Sequence, residues 1–181
     1  MTRGGHLWAI GYDDMGRAEQ VRNEIIKLSD LHCLILLDTA VAVRYSDGSA
    51  TLNGEPFVAA IEFGGRSFTS FLAGLALGAP PLTAAAVGGV MRSTGGAAAE
   101  VGIDDAFIRE VQSLIKPGTS ALFVLDNAGD MEMILDKIRG LGGSVLKTNV
   151  DPERARLIQA TLAAASPDKR QPDDRPPGSH P

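Results

Sequence analysis

The residues of this chain best suited to nucleophilic or metal chemistry are three histidines and one cysteine. His32 and Cys33 are the sole neighbouring pair of these. Adjacent residues in an extended segment face opposite sides, so they do not make a thiolate–imidazole dyad. A buried thiol beside a surface imidazole is the expected arrangement. His6 and His180 lie near the two ends. Asp13-Asp14 and Asp104-Asp105 are paired carboxylates, the residue type that takes a hard divalent cation. Each pair precedes an amphipathic helical stretch, where a capping aspartate accounts for it without a metal. Gly64-Gly65-Arg66 has the composition of an anion cradle before a helix N-terminus, and equally of a turn. The chain holds no G-x-x-x-x-G-K-[ST], no G-x-G-x-x-G after a strand and no H-E-x-x-H. The reading is therefore nonenzymatic, with no catalytic, cofactor or metal residues.

The elements that would position such residues follow from size and pattern. At 181 residues and 44% apolar, the chain can bury a real core as one domain. One cysteine excludes an intrachain disulfide and a Cys-based zinc cluster. A net charge of −5 supplies no phosphate-neutralising surface, so nucleic acid is not an expected partner. Met1 to His6 runs straight into a strand-like segment with no apolar signal region, so the chain is expected in the cytoplasm. Residues 166–181 contain five of the ten prolines and no Leu, Ile, Val or Phe; they are expected to form a disordered tail.

Between the ends, the order strand–helix–strand occurs twice. Leu7 to Tyr12 is a short apolar run, and Asp13-Asp14 caps a helix over Met15 to Asp30. Ala18, Val21, Ile25 and Leu28 give that helix one apolar face. Leu34 to Tyr45 is β-rich and closes at Ser46-Asp47-Gly48. Later, Ser120 to Leu125 is a buried strand. Asp130 to Leu141 is a helix with Met133, Ile134, Ile138 and Leu141 on one side, stopped by Gly142-Gly143. Ser144 to Val150 is the next strand. Asp151-Pro152 starts a last helix whose stripe is Leu157, Ile158, Thr161 and Leu162. Two such units make an α+β, ferredoxin-like βαβ–βαβ domain over residues 6–165, preferred to a doubly wound sheet.

An insertion over 52–118 separates the units. Its last part, Asp104 to Lys116, reads as an amphipathic helix that buries Phe107, Ile108, Val111, Leu114 and Ile115. Lys116 suits the negative end of the dipole there. Its middle, 67–99, reads as a glycine/alanine-rich helical hairpin. Ser67 to Met91 carries no charge and is flanked by Arg66 and Arg92. Gly74 and Gly78, then Ala84 and Gly88, have the spacing that lets helix backbones approach closely. Pro80-Pro81 divides the two arms. The first arm, Ser67 to Ala79, is about 20 Å long, too short for a bilayer core of about 30 Å. Arg92 falls inside the second arm. Full crossing is not expected. The arms suit a shallow re-entrant hairpin, a hairpin between protomers, or a hairpin packed on the protein's own sheet.

Several strings then occur in a fixed order: Tyr12-Asp13-Asp14, the Gly/Ala/Pro hairpin, Val101 to Ile108, Lys116 to Phe123, and Gly142 to Thr148. In this order they resemble the bacterial family of domains of unknown function numbered twelve sixty-nine, over about residues 6–165. The resemblance implies a glycine-zipper-like hairpin and a predicted membrane protein, and no established reaction. The expected function is a noncatalytic, membrane-associated or self-assembling protein at the inner face of the cell membrane. Gly74, Gly78, Ala84, Gly88 and Arg92 would mediate association with a second copy or with the membrane. The alternative is a soluble, ligand-sensing regulatory module.

Overall fold

The computed structural model describes residues 5–56, 68–78, 105–127 and 129–165, with side chains of the third segment from Arg109 onward. Six strands form one antiparallel sheet: β1 (His6–Tyr12), β2 (Ile35–Arg44), β3 (Ala50–Leu52), β4 (Glu55–Pro56), β5 (Thr119–Asn127) and β6 (Ser144–Thr148). Five helices accompany it among the described residues: α1 (Arg17–Asp30), α2 (Phe68–Ala76), α3 (Asp105–Ser113), α4 (Met131–Ile138) and α5 (Pro152–Ala163). The strand order is β4-β3-β2-β5-β1-β6. β5 lies between β1 and β2, so strands from either side of the insertion share one sheet. Leu7 pairs with Leu125, and Tyr12 with Ser120.

Strand alternation sorts the core into two layers. On one face, Trp8, Ile10, Val41, Val43, Leu122 and Val124 pack against α1, α4 and α5. On the other, Leu7, Ala9, Ala40, Ala42, Ala121, Phe123 and Leu125 pack against α2 and the buried Val111 and Ile115. Four of those seven sheet residues are alanine. Small side chains beneath let the large ones of α2 (Phe68, Phe71, Leu72 and Leu75) seat close to the sheet and fill the layer.

The helix ends differ from the sequence reading: α4 ends at Ile138 with Arg139 as its C-cap, before Gly142-Gly143, and α3 ends at Ser113, short of Lys116. Asp130 and Asp151 cap α4 and α5 as expected, accepting from the N–H groups of Met133 at 3.1 Å and Arg154 at 2.9 Å. Gly16, not Asp13-Asp14, is the N-cap of α1. Asp14 instead folds the preceding turn, its Oδ1 accepting from the Gly16 N–H at 2.8 Å. Met133 and Leu157 are 45% and 47% exposed, outside the expected stripes. Each sits one residue, about 100° of helix rotation, before a buried isoleucine, Ile134 or Ile158. The segment that straddles the start of the expected insertion at residue 52 also pairs into the sheet. Ala50–Leu52 adds to β2, and β3 turns into β4 through Asn53-Gly54, a dipeptide strongly favoured in two-residue hairpin loops.

The stretch read as the first hairpin arm forms α2, the best-buried helix among the described residues. Eight residues of α2, including Gly74, are buried. Asp38 of β2 accepts from the Thr69 N–H at 2.9 Å, and Arg44 of β2 donates to the Leu77 carbonyl at 2.8 Å. Gly78 follows the helix at φ +99°, a left-handed conformation that ends it. No helix among the described residues is long and apolar enough to cross a membrane. Ala84, Gly88 and Arg92, the Gly64-Gly65-Arg66 stretch and residues 166–181 lie outside the described residues.

Candidate functional site

The sheet opens at the end where β1 finishes and β5 and β6 begin. A cleft of about 510 Å³ lies there, walled by Tyr12, Asp13, Asp14, Arg17 and Lys116, with Leu114 and Leu146 along its apolar side. Local sequence explains how the walls meet. Gly11 has no Cβ, so Leu146 of the neighbouring strand lies across it; a Cβ there would fall 2.6 Å from Leu146 Cδ1. Gly143 sits against the Tyr12 ring, where a Cβ would fall 2.5 Å from Cε1. The Ser120 hydroxyl donates to the Asp14 carbonyl at 2.6 Å and ties the β1–α1 turn to β5.

Arg17 is held at the rim. Its Nε and Nη2 donate to the Leu141 carbonyl at 3.0 and 2.8 Å, and Nη1 donates to Gln20 Oε1 at 2.9 Å. Those contacts use three of the five guanidinium N–H groups. Tyr12 is 6% exposed, and its buried hydroxyl has no hydrogen-bond partner. Burial pushes the phenol well above its usual range, and the positive charge of Arg17 pulls weakly the other way. The hydroxyl is thus a proton donor throughout the physiological range, not a base. A buried hydroxyl left unpaired costs about 1–3 kcal/mol.

A second polar cluster lies on the α5 side of the sheet. His6 Nδ1 is 2.8 Å from Asp126 Oδ1, and Asp126 Oδ2 accepts from Trp8 Nε1 at 3.0 Å. Arg154 Nη1 stands 3.3 Å from His6 Nε2. Arg154 can only donate, so Nε2 accepts and the ring proton sits on Nδ1, facing Asp126. Asp126 is 6% exposed, and the cluster satisfies its carboxylate while joining β1, β5 and α5. His6 therefore has a structural partner, although from sequence it is merely a residue near one end.

Of the chemistry-bearing residues singled out from sequence, Asp13 and Asp14 reach the cleft. His32 is exposed in the left-handed region at φ +59°, and Cys33 is buried, so the two form no dyad. No group of three or more His, Cys, Asp or Glu is placed to hold a metal among the described residues. Gly74 and Gly78 stand within α2 and just past it, away from the cleft. Sequence reasoning did not find Tyr12, Arg17 or Lys116 as site residues. The one local signal was Gly142-Gly143, which reads as a helix stop and also clears space for the Tyr12 ring.

The molecule is thus an α+β protein built on a six-stranded antiparallel sheet with helices on both faces. It belongs to the family described as Protein of unknown function (DUF1269), whose model matches residues 64–163, more than half of the chain. No curated protein matches it, and no solved structure does.

Proposed function

We propose that this protein is a noncatalytic binding module that holds a small polar ligand in the Tyr12 cleft. The observation that carries this reading is the cleft of about 510 Å³, whose lining gathers Arg17, Lys116, Asp13 and Asp14 at one end of the sheet. The protein body is ferredoxin-like in this reading. Support comes from the order β2-β5-β1-β6, in which the two strand–helix–strand units interleave. The test is an NMR titration of the 15N-labelled chain with a mixture of amino acids, sugars, nucleosides and dicarboxylates. Shifts concentrated at Gly11, Tyr12, Ser120 and Ser144 are expected. Absence of any shift there under the whole mixture overturns the reading.

Self-association, or attachment at the inner face of the membrane, belongs in this proposal to the second hairpin arm. Gly78 ends α2, and Arg44 closes its last turn. The first arm is spent on the core. Ala84, Gly88 and Arg92 would then carry the contact. Replacing Ala84 and Gly88 with Leu should shift the sedimenting or membrane-bound fraction with the fold intact. An unchanged distribution rejects the arm as an interface.

A further inference from the structure

The described chain ends at Ala165, at one rim of the cleft. The hydrogen bonds of α5 fix its direction. Gln159 accepts from the Val145 N–H at 2.7 Å and donates to the Gly143 carbonyl at 3.1 Å. Further along the helix, the Thr161 and Leu162 carbonyls accept from the Gly140 and Gly142 N–H groups, each at 3.0 Å. α5 therefore runs antiparallel to β6, and its end arrives where β6 begins. Leu141, whose carbonyl holds Arg17, lies between the two glycines that bind this helix end. Gly143 and Ser144, which follow, wall the cleft.

The rim charges follow the order of the strands. β6, β1 and β5 are neighbours in that order. Arg17 stands on the β6 side, tied to Leu141. Asp13-Asp14 form the turn after β1, where Ser120 of β5 holds the Asp14 carbonyl. Lys116 stands just before β5, its backbone N–H donating to Thr119 Oγ1 at 3.1 Å. The rim thus reads one cation, two carboxylates, one cation. None of the four side chains pairs with an opposite charge among the described residues. The chain beyond Ala165 reads the complement: Asp168, then Lys169-Arg170, then Asp173-Asp174.

The lengths agree. Three residues of extended chain, from Ala165 to Asp168, reach about 10 Å. From β6 across β1 to β5 is two strand spacings, also about 10 Å. The five residues from Asp168 to Asp173 extend to at most about 17 Å, enough for that crossing. A single exposed ion pair contributes little. A segment tethered at the rim, however, meets the cleft at a millimolar effective concentration, so weak contacts suffice. Pro167 and Pro172 reduce the conformational freedom lost on docking.

We infer that residues 168–174 dock across the cleft of their own chain, with Asp168 on Arg17, Lys169 and Arg170 on Asp13 and Asp14, and Asp173 and Asp174 on Lys116. The segment is then the occupant of the cleft in the free protein. A small ligand must displace it, a consequence that rests on the function proposed above.

The test is 15N relaxation of the full chain in about 10 mM and 1 M salt, where the Debye length is about 30 and 3 Å. It is run on the wild type and on a charge-exchanged variant carrying Lys169→Asp, Arg170→Asp, Asp173→Lys and Asp174→Lys. The variant keeps the net charge and alters no residue of the described fold. Order parameters at 168–174 should exceed about 0.6 in wild type at low salt and fall below it in the variant and in 1 M salt. The amide signals of Asp13, Arg17, Lys116 and Ser144 should move between the two proteins. Values below about 0.6 in wild type at both salt concentrations overturn the docking. Equal order in wild type and variant overturns the charge register. Order that grows with protein concentration overturns a contact within one chain. The small-ligand mixture, titrated into the charge-exchanged variant, separates the two readings. Cleft shifts there, with 168–174 flexible in wild type, reject the docking and keep the ligand site. No shifts there, with 168–174 ordered in wild type, reject the ligand site and keep the docking.

Discussion

Asp38 and Arg44, on a single strand, hold opposite ends of one helix. The Asp38 carboxylate takes the Thr69 N–H at the start of α2, and the Arg44 guanidinium takes the Leu77 carbonyl beyond its end. The negative group faces the positive end of the helix dipole and the positive group the negative end. α2 itself contains no charged residue. One backbone group at each end is therefore satisfied by β2, and an uncharged helix stays docked in a defined register on the sheet.

Removing either end of this clamp should loosen α2. Asp38→Ala and Arg44→Ala are each expected to cost about 1–2 kcal/mol, the range for losing a helix cap. Urea denaturation measures this. A change within error at both positions would mean that packing alone holds the helix.

Gly143→Ala should be among the more damaging single substitutions. The residue has φ +98°, and the added methyl would meet the Tyr12 ring and Ile10 Cγ2, the latter at 2.8 Å. A loss of about 2 kcal/mol or more is expected from backbone strain and overpacking together. Gly48→Ala, also at positive φ but with open space around it, provides the comparison. Equal losses at the two sites would show that contact with Tyr12 contributes nothing.

Stability should fall at alkaline pH through Tyr12. Its folded-state pKa is raised by burial, so the folded state holds the proton more tightly than the unfolded chain. Its contribution is complete below the unfolded value of about 10 and is lost as pH rises above it. Denaturation midpoints of wild type and Tyr12→Phe between about pH 8 and 11 should diverge, the variant losing less. Parallel curves would exclude Tyr12 as the source.

The outer edge of β6 is closed by a side chain. Gln159 of α5 accepts from the Val145 N–H at 2.7 Å and donates to the Gly143 carbonyl at 3.1 Å, standing in for the peptide group of a neighbouring strand. The opposite edge, β4, is two residues long and contains Pro56, which has no N–H to offer. Gln159→Leu should expose the β6 edge, cost about 1–3 kcal/mol and raise the self-associated fraction in sedimentation velocity. A variant that sediments like wild type at every concentration would show that the edge is protected by other means.

Much of the scaffold is legible in the chain because it depends on neighbours in sequence. The spacing of Ala18, Val21, Ile25 and Leu28 gives α1 its buried face, and all four are buried. Asp130 and Asp151 cap their own helices because a cap reaches two or three residues. Asn53-Gly54 is an equally local turn signal, yet the sequence reading passes over it and leaves β3 and β4 unassigned. The paired order of strands and helices rests on similar short-range patterns.

Tertiary structure decided whatever depends on residues distant in sequence. Asp38 caps a helix 31 positions away because an irregularity in β2 pairing at Leu36/Asp38 and the docking of α2 bring them together. Met133 and Leu157 face outward because the sheet contacts only one strip of α4 and α5, and a pattern of apolar residues does not show where that strip ends. Tyr12, Arg17 and Lys116 line one cleft because β1 and β5 are antiparallel neighbours, a pairing about a hundred residues apart that composition and periodicity do not encode. Local rules act over a few residues along the backbone. A binding site is made of side chains that only the packed sheet brings face to face.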